Sequence, residues 1–409
     1  MSKLEEMLKY VSEHNEFYKN RIKEYGIKDP LDINQWPILT REELHANRYN
    51  MFSDGYRSKY LDQQLKRQSS SGSSGTPVNV YWDYKDYYNS IRILWRYRLK
   101  YYGIHPNYRF VKFTLNVETF TNCKISYLYE HKNVLNINLS TIKNDDDYEQ
   151  MINIINDFNP MWLYIQPFVL HRLIEFYIRF NKTPSPSISY IESVGELLPT
   201  ELRKRAFRFF NAPVINLYGS EEMNGIAYDC PYDHMHVLKD NVYIECKNGK
   251  DIDNFGEGEA IITNLVNKAM PLIRYNQGDI IQLNNLSTAC DCKSGKLIIK
   301  LIKGRAYENV KVDNIELNPY ILTTVLSNIN NEFDHVITCY HYVYSKSSKK
   351  LICYIEINRF FKHWLENIRH AIYLKLRTEL QNIPSIYIEV HQESRSSLSK
   401  KHKVLEIID

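Results

Sequence analysis

The sequence predicts an α/β protein: a large N-terminal α/β domain carrying a β subdomain, followed by a small, mobile α+β C-terminal domain. Three observations predict it. Short apolar runs alternate with helical patterns up to about residue 220. Closely spaced strand-like runs take over from about residue 235, and a compact helix-and-strand unit follows residue 303. Alternating strands and helices bury their apolar faces best as a parallel sheet covered by helices.

Taken in order, "TREEL" (40–44) has the capping-box form, with Thr40 as N-cap and Glu43 reaching back to it. The stretch 83–103 reads as one long helix ended by Gly103, a residue that tolerates the left-handed turn there. The apolar runs "RFVKFTL", "VLNINLS", "MWLYIQP", "SISYIESV" and "PVINLYG" read as strands, with helical patterns at 146–157, 167–180 and 200–210. From "HMHVLKDNVYIEC" through "KLIIKLIKG" the pattern is a small, mostly antiparallel β subdomain of about 230–302. Beyond "KGRAYENVK" a helix is expected at 318–328, strands at 335–344 and 350–357, a helix at 360–381 and a strand at 385–391. The expected domains are therefore 1–302 and 303–409, the second small enough to move on a hinge.

Composition narrows the function. Charged residues make up 24% and the net charge is +4, with no basic run interleaved with aromatics, so a nucleic-acid footprint is not expected. No window approaches the roughly 18–20 uninterrupted apolar residues of a membrane span, and the start "MSKLEEMLKY" lacks the apolar centre of a signal peptide. Seven cysteines scattered along the chain make no disulfide framework, so a reduced, cytoplasmic protein is expected.

One loop raises the chemical question. "QSSSGSSGTPVNVYW" (68–82) has the composition of a flexible linker or of a phosphate grip. Ser70, Ser71, Gly72, Ser73, Ser74, Gly75 and Thr76 offer backbone N–H groups unobstructed by Cβ atoms, together with hydroxyl donors. The apolar run after Pro77 suggests a hairpin exit, which does not fit the Gly-x-x-x-x-Gly-Lys-Ser/Thr phosphate loop. Further along come "GE" (Gly195–Glu196), "YGSEE" (218–222), "RYNQGD" (274–279), "KGR" (303–305) and "SKKHKV" (399–404).

This set, in this order, resembles the acyl-adenylate-forming superfamily, and within it the phenylacetate–CoA ligase and CapK-like branch. The resemblance spans nearly the whole chain, including "EFYKNRI" and "WPILTREEL" near the N-terminus. It implies ATP, Mg²⁺ and CoA as cofactors or co-substrates, a small carboxylic acid as substrate, and a homodimer. It implies that the 70–76 loop grips the β- and γ-phosphates, with Thr76 where many relatives have lysine. Gly195 and Glu196 match the segment along the adenine, and Tyr218, at the head of the Gly219-Ser220-Glu221 turn, matches the aromatic that stacks on the base. Glu222 matches the Mg²⁺ carboxylate, and Asp279 the acid that accepts both ribose hydroxyls. Arg305 matches the arginine near ribose and phosphate, and Lys400 the mobile catalytic lysine that bridges substrate carboxylate and α-phosphate.

The chain departs from the family pattern at three places. Glu221 stands where relatives have Thr or Ser near the α-phosphate, Tyr307 replaces the hinge aspartate, and Asp313-Asn314 stand where an Arg-Gly turn is common. An acid at 313 fits poorly with an anionic CoA entering beside it. The expected activity is therefore acyl-adenylate formation followed by thioester formation. Transfer to the amine of a sugar or amino acid is an alternative, and a non-catalytic nucleotide- or acyl-binding protein is another.

Separately, Cys230, His236, Cys290 and Cys292 make a Cys₃His set suited to closed tetrahedral Zn²⁺, with His234 as an alternative nitrogen ligand. Several CapK-like relatives carry a similar arrangement. The two halves lie about 60 residues apart, so the fold must bring them together.

If the 70–76 loop grips phosphate through backbone amides, Gly72→Val will weaken ATP affinity far more than Thr76→Val. Near-equal affinities of the two variants by calorimetric titration would contradict the grip.

Overall fold

The computed structural model describes residues 1–69, 78–114, 127–130, 132–142, 145–305, 310–312, 315–317, 322, 325–326, 329, 332–333, 337–357, 363–380, 387–392 and 405–408. The chain divides into two compact units. One is built from Met1–Pro106 and Asn216–Ala306, the other from Asn107–Ile215 and Tyr307–Asp409. The last boundary falls close to the expected end of the large domain at 302. The contacts, however, group the C-terminal segment with 107–215.

The first unit opens with α1 (Lys3–His14), α2 (Glu16–Glu24), α3 (Arg41–Asn47) and α4 (Tyr56–Leu61). Thr40 and Glu43 form the expected capping box, each accepting from the other's backbone N–H. β1 (Lys66–Ser69) and β2 (Asn79–Trp82) then pair antiparallel, Ser69 opposite Asn79, and residues 70–77 between them lie outside the described residues. α5 (Tyr84–Tyr102) runs the length read from the sequence and ends at Gly103, whose φ of +65° is the left-handed cap.

In the second unit, β3 (Phe110–Thr114), β4 (Tyr127–Glu130), β5 (Val134–Asn138), α6 (Asp145–Phe158), β6 (Trp162–Ile165), α7 (Pro167–Arg179), β7 (Tyr190–Val194) and α8 (Thr200–Phe210) come in turn. β7, β6, β3 and β5 lie side by side in parallel, and β4 pairs antiparallel on the outer edge. Val111, Phe113, Leu135, Ile137, Leu163, Ile165 and Ile191 point from one face into a core shared with α6, α7 and α8. Alternation along each strand sends Lys112, Tyr164 and Glu192 to the opposite face.

The chain returns to the first unit within β8 (Val214–Ser220). Next come β9 (Asn224–Asp229), β10 (Met235–Val237), β11 (Val242–Asn248), β12 (Asp251–Asp253), β13 (Gly256–Asn264), β14 (Tyr275–Asn285) and β15 (Leu297–Arg305). They form the expected antiparallel sheet in the order β12-β11-β13-β14-β15-β10-β9-β8. Its core joins that of the N-terminal helices: Leu8, Tyr18, Trp36 and Leu39 pack with Ile244, Ile262, Leu272 and Tyr275.

In the C-terminal part of the second unit come β16 (Val310–Val312), β17 (Ile315–Leu317), β18 (Ile337–Ser345), β19 (Lys350–Ile357), α9 (Leu365–Glu379), β20 (Tyr387–Gln392) and β21 (Leu405–Ile408). The sheet β20-β19-β18-β21 closes its own core with Ile368, Ile372 and Leu376 of α9. β21 is not among the elements expected after residue 303; its apolar residues pair in parallel with β18. Arg172 of α7, almost fully buried, reaches Glu356 of β19 at 3.4 Å. Among the described residues no helix is long and apolar enough to cross a membrane.

One buried ion pair ties the N-terminal segment to the sheet. Arg274, with φ of +50°, places Nε 3.0 Å and Nη2 2.6 Å from the two carboxylate oxygens of Glu245 on β11. Its Nη1 donates to the carbonyl of Trp36 at 2.8 Å. A charge left alone at this depth is costly. Glu245→Gln, which strands the guanidinium, is expected to lower unfolding stability by roughly 3 kcal/mol, read as a fall in the urea midpoint at unchanged slope.

Candidate active site and metal centre

Two of the sequence motifs of the first unit meet through their side chains, although their strands, β8 and β14, are not neighbours in the sheet. "YGSEE" forms the end of β8 and the tip of the β8–β9 hairpin, closed by Met223 N–H donating to the Ser220 carbonyl at 3.3 Å. The hairpin is tight enough to demand glycine at 219, since a Cβ there would stand 2.4 Å from the Asn224 carbonyl oxygen. The tip splits its two acids. Glu222 turns inward and is buried, with the Tyr275 hydroxyl 3.5 Å from its Oε1. Glu221 faces solvent, and after burial itself its charge is the next cause pushing the Tyr87 phenol up. The hairpin therefore turns the extra carboxylate of this chain outward.

"RYNQGD" opens β14. Its backbone is held by Leu39, whose N–H donates to the Arg274 carbonyl at 2.9 Å and whose carbonyl accepts from Asn276 N–H at 3.0 Å. From there β14 carries Gln277 and Asp279 on one face, and Tyr218 reaches them from β8. The Tyr218 hydroxyl donates to Asp279 Oδ2 at 2.6 Å. Gln277 Nε2 donates to the same oxygen at 2.7 Å and lies 2.8 Å from the Tyr218 hydroxyl. All three side chains are buried. Residues 61 apart in sequence thus share one hydrogen-bond triangle. Arg305 is the backbone register partner of Asp279 across β14 and β15, so one more of the predicted residues is a neighbour.

The sequence motifs do not single out Gln277, although it lies inside one of them. The signal available is positional: residues two apart on a strand share a face, so 277 and 279 have to work on the same side.

In the second unit, Gly195 follows β7 with φ of +80°, a conformation that favours glycine. The next residue, Glu196, accepts from Phe168 N–H at 3.2 Å and so holds the first turn of α7. Crowding by surrounding protein atoms pushes its carboxyl up, and the Phe168 N–H works against that.

Several expected site residues lie outside the described residues: Ser70, Ser71, Gly72, Ser73, Ser74, Gly75, Thr76 and Lys400, with Tyr307, Asp313 and Asn314. Arg305 is described through its backbone alone.

The four predicted metal ligands do converge. Cys230 follows β9, His236 sits in the middle of β10, and Cys290 and Cys292 lie in the turn before β15. β10 pairs with both β9 and β15. Their ligand atoms all lie within 4.8 Å of one another, and all four residues are buried. The Cys230 and Cys290 sulfurs are 3.8 Å apart, and Cys292 Sγ is 3.2 Å from His236 Nε2. Metal–sulfur arms of about 2.3 Å give sulfur–sulfur edges of about 3.8 Å in a tetrahedron, so the donor set fits zinc. A disulfide would need roughly 2 Å, and the cysteines are free. Burial pushes the Cys230 thiol up to about 12 and the His236 imidazole down to about 4. His234, the alternative ligand, places Nδ1 3.4 Å from Cys290 and stands outside the quartet.

No family model matches the chain. Among curated proteins it is similar to the protein CapK of Staphylococcus aureus, 23% identical over 356 residues, covering 82% of this chain and 76% of CapK. It is also 24% identical to the phenylacetate–coenzyme A ligase of Escherichia coli K12 over 298 residues, 68% of this chain and 64% of the ligase. The match thus takes in just under two thirds of that ligase's length. Among solved structures, 2-hydroxyisobutyryl-CoA ligase in its postadenylation state superposes with a TM-score of 0.76 at 15% identity, covering 100% of this chain and 88% of that one. The chain has the fold of the acyl-adenylate-forming ligases. Its sequence relatives lie in the CapK and phenylacetate–coenzyme A ligase branch, as the motifs imply. The acyl acid amido synthetase GH3.15 shares the fold at a TM-score of 0.60, with 12% identity over 98% of this chain and 90% of that one.

Proposed function

We propose that the protein is an ATP-dependent carboxylate-activating ligase that forms an acyl-adenylate and then an acyl-CoA thioester. The observation that carries the reading is the buried triangle of Tyr218, Gln277 and Asp279, which joins two distant motifs in a chain of this fold. A carboxylate resists nucleophilic attack because its carbon is electron-rich and its leaving group is poor. Attack of the carboxylate oxygen on the α-phosphorus expels pyrophosphate and leaves AMP as the leaving group. A thiolate then attacks the acyl carbon and AMP departs.

On this reading Asp279 accepts the ribose hydroxyls, which suits a two-oxygen acceptor whose orientation Tyr218 and Gln277 fix. Glu222 would hold Mg²⁺, which would offset phosphate charge. The 70–76 loop would grip the outer phosphates, and Lys400, carried by a lid of residues 303–409, would neutralise charge at the reacting carboxylate. Mixing the protein with ATP and a broad panel of carboxylic acids should give carboxylate-dependent pyrophosphate release, cut at least about a hundredfold by Lys400→Ala. Silence across the panel would defeat the reading.

One departure and one relative favour a second acceptor. Asp313 and Asn314 stand where the branch commonly carries an Arg-Gly turn, and CapK stands among the relatives. An amine of a sugar or amino acid would then take the acyl group in place of CoA. Product analysis with and without CoA separates the two.

The Cys₃His quartet would hold a structural zinc, because four protein ligands leave no open position for catalysis. Purified protein should contain about one zinc per chain by elemental analysis, lost in Cys290→Ser together with thermal stability. Native protein without zinc would overturn the assignment.

A further inference from the structure

Open α/β sheets bind their ligands outside the carboxyl ends of the parallel strands. In the second unit those ends carry a polar row. Thr114 closes β3 and stands in register with Asn138 of β5. Lys112 pairs with Tyr164, so the parallel register carried two residues on sets Thr114 beside Gln166, just past β6. The Gln166 amide is not free to turn. Its Nε2 donates to the Phe113 carbonyl at 3.2 Å, and a carbonyl can only accept, so the nitrogen must face Phe113 and Oε1 must face away. A Cβ built on Gly195 would stand 3.8 Å from Gln166 Cγ, which brings the turn after β7 to the same place.

Among the described residues Oε1 of Gln166 is shut off from solvent and has no hydrogen-bond partner, and the same holds for Oγ1 of Thr114. Most buried polar atoms in proteins are paired, and an exception calls for a partner or a physical reason. Gln166 is one of several such exceptions here, and it is the one that stands beside Thr114 at the carboxyl ends of the parallel strands. Because the Gln166 acceptor is fixed in direction, its missing partner must be a donor.

We propose that Gln166, with Thr114 beside it, selects a carboxylic acid that bears a hydroxyl or amino group, whose hydrogen is donated to Gln166 Oε1. The inference rests on the adenylation reading and names the substrate class it would act on. Plain alkyl or aryl acids leave the acceptor unpaired and are poor substrates. Glutamate at 166 would keep an acceptor, whereas leucine would remove it at similar size.

The test uses matched acids that differ only by hydrogen, hydroxyl or amino at successive positions along the chain. Calorimetric binding and pyrophosphate release are both measured. The wild type should prefer at least one donor-bearing acid over its plain partner by about tenfold or more in affinity and in kcat/KM. Gln166→Leu should erase that preference, and Gln166→Glu should retain part of it, with both variants checked for unchanged melting. Binding that shows no donor preference, or a preference that survives Gln166→Leu, overturns the inference. If the leucine variant instead loses only its discrimination between ATP and purine riboside triphosphate, Oε1 serves the exocyclic amine of adenine and the inference also fails. Donor-selective binding without pyrophosphate release from any acid would support the inference and count against adenylation, so the two can fail separately.

Discussion

The "RYNQGD" motif depends on a charge that cannot escape. Arg274 is buried, and its guanidinium is satisfied by two oxygens of Glu245 and a carbonyl of the N-terminal segment. Those partners leave one position for its backbone, which takes the left-handed conformation a non-glycine residue adopts only when its surroundings compel it. That conformation sets the direction in which β14 leaves the turn. The strand therefore begins from a point fixed by a buried side chain. Leu39 adds a backbone ladder on one side, and Tyr18, whose hydroxyl donates to the Pro271 carbonyl at 3.0 Å, braces the approach on the other.

Strand geometry governs the rest of β14. Two residues apart means the same face, so Gln277 and Asp279 stand together where Tyr218 can reach both. The triangle is buried and its hydrogen bonds run toward one carboxylate oxygen. That arrangement limits how Asp279 can rotate. Oriented acceptors of this kind are worth more than mobile ones, because no rearrangement is needed when charge or hydroxyls arrive. The Cys₃His quartet obeys the same economy of placement. Three neighbouring strands, β9, β10 and β15, each bring ligands to one end of the sheet, and the sequence gap of about 60 residues closes through pairing alone.

Much of this architecture is legible in the sequence. Gly103, Thr40 with Glu43, and the apolar runs announce their elements because caps and periodicity are local. The Cys₃His set is legible through donor chemistry, though its closure is not, since that depends on which strands pair. Four features are not legible. Gln277 looks like an ordinary polar residue, because its value lies in partners far along the chain. Gln166 looks like a helix N-cap, and its orphan acceptor exists only once Phe113 is beside it. The strand at 405–408 is hidden by the lysines before it, whose solubility says nothing about the four residues beyond them. The two-unit division is equally hidden, because hydrophobic clusters close without regard to chain order.

That last strand has a consequence of its own. β20 ends at Gln392 and β21 begins at Leu405, and both are edges of one four-stranded sheet. β21 reaches its place on β18 by pairing Tyr342 with Leu405, residues 63 apart in the chain. β19 meets the same strand, β18, through a turn of only four residues, 346–349. Closing a long segment costs more chain entropy than closing a short one, so the sheet is expected to grow outward from the β18–β19 hairpin and to gain this edge late.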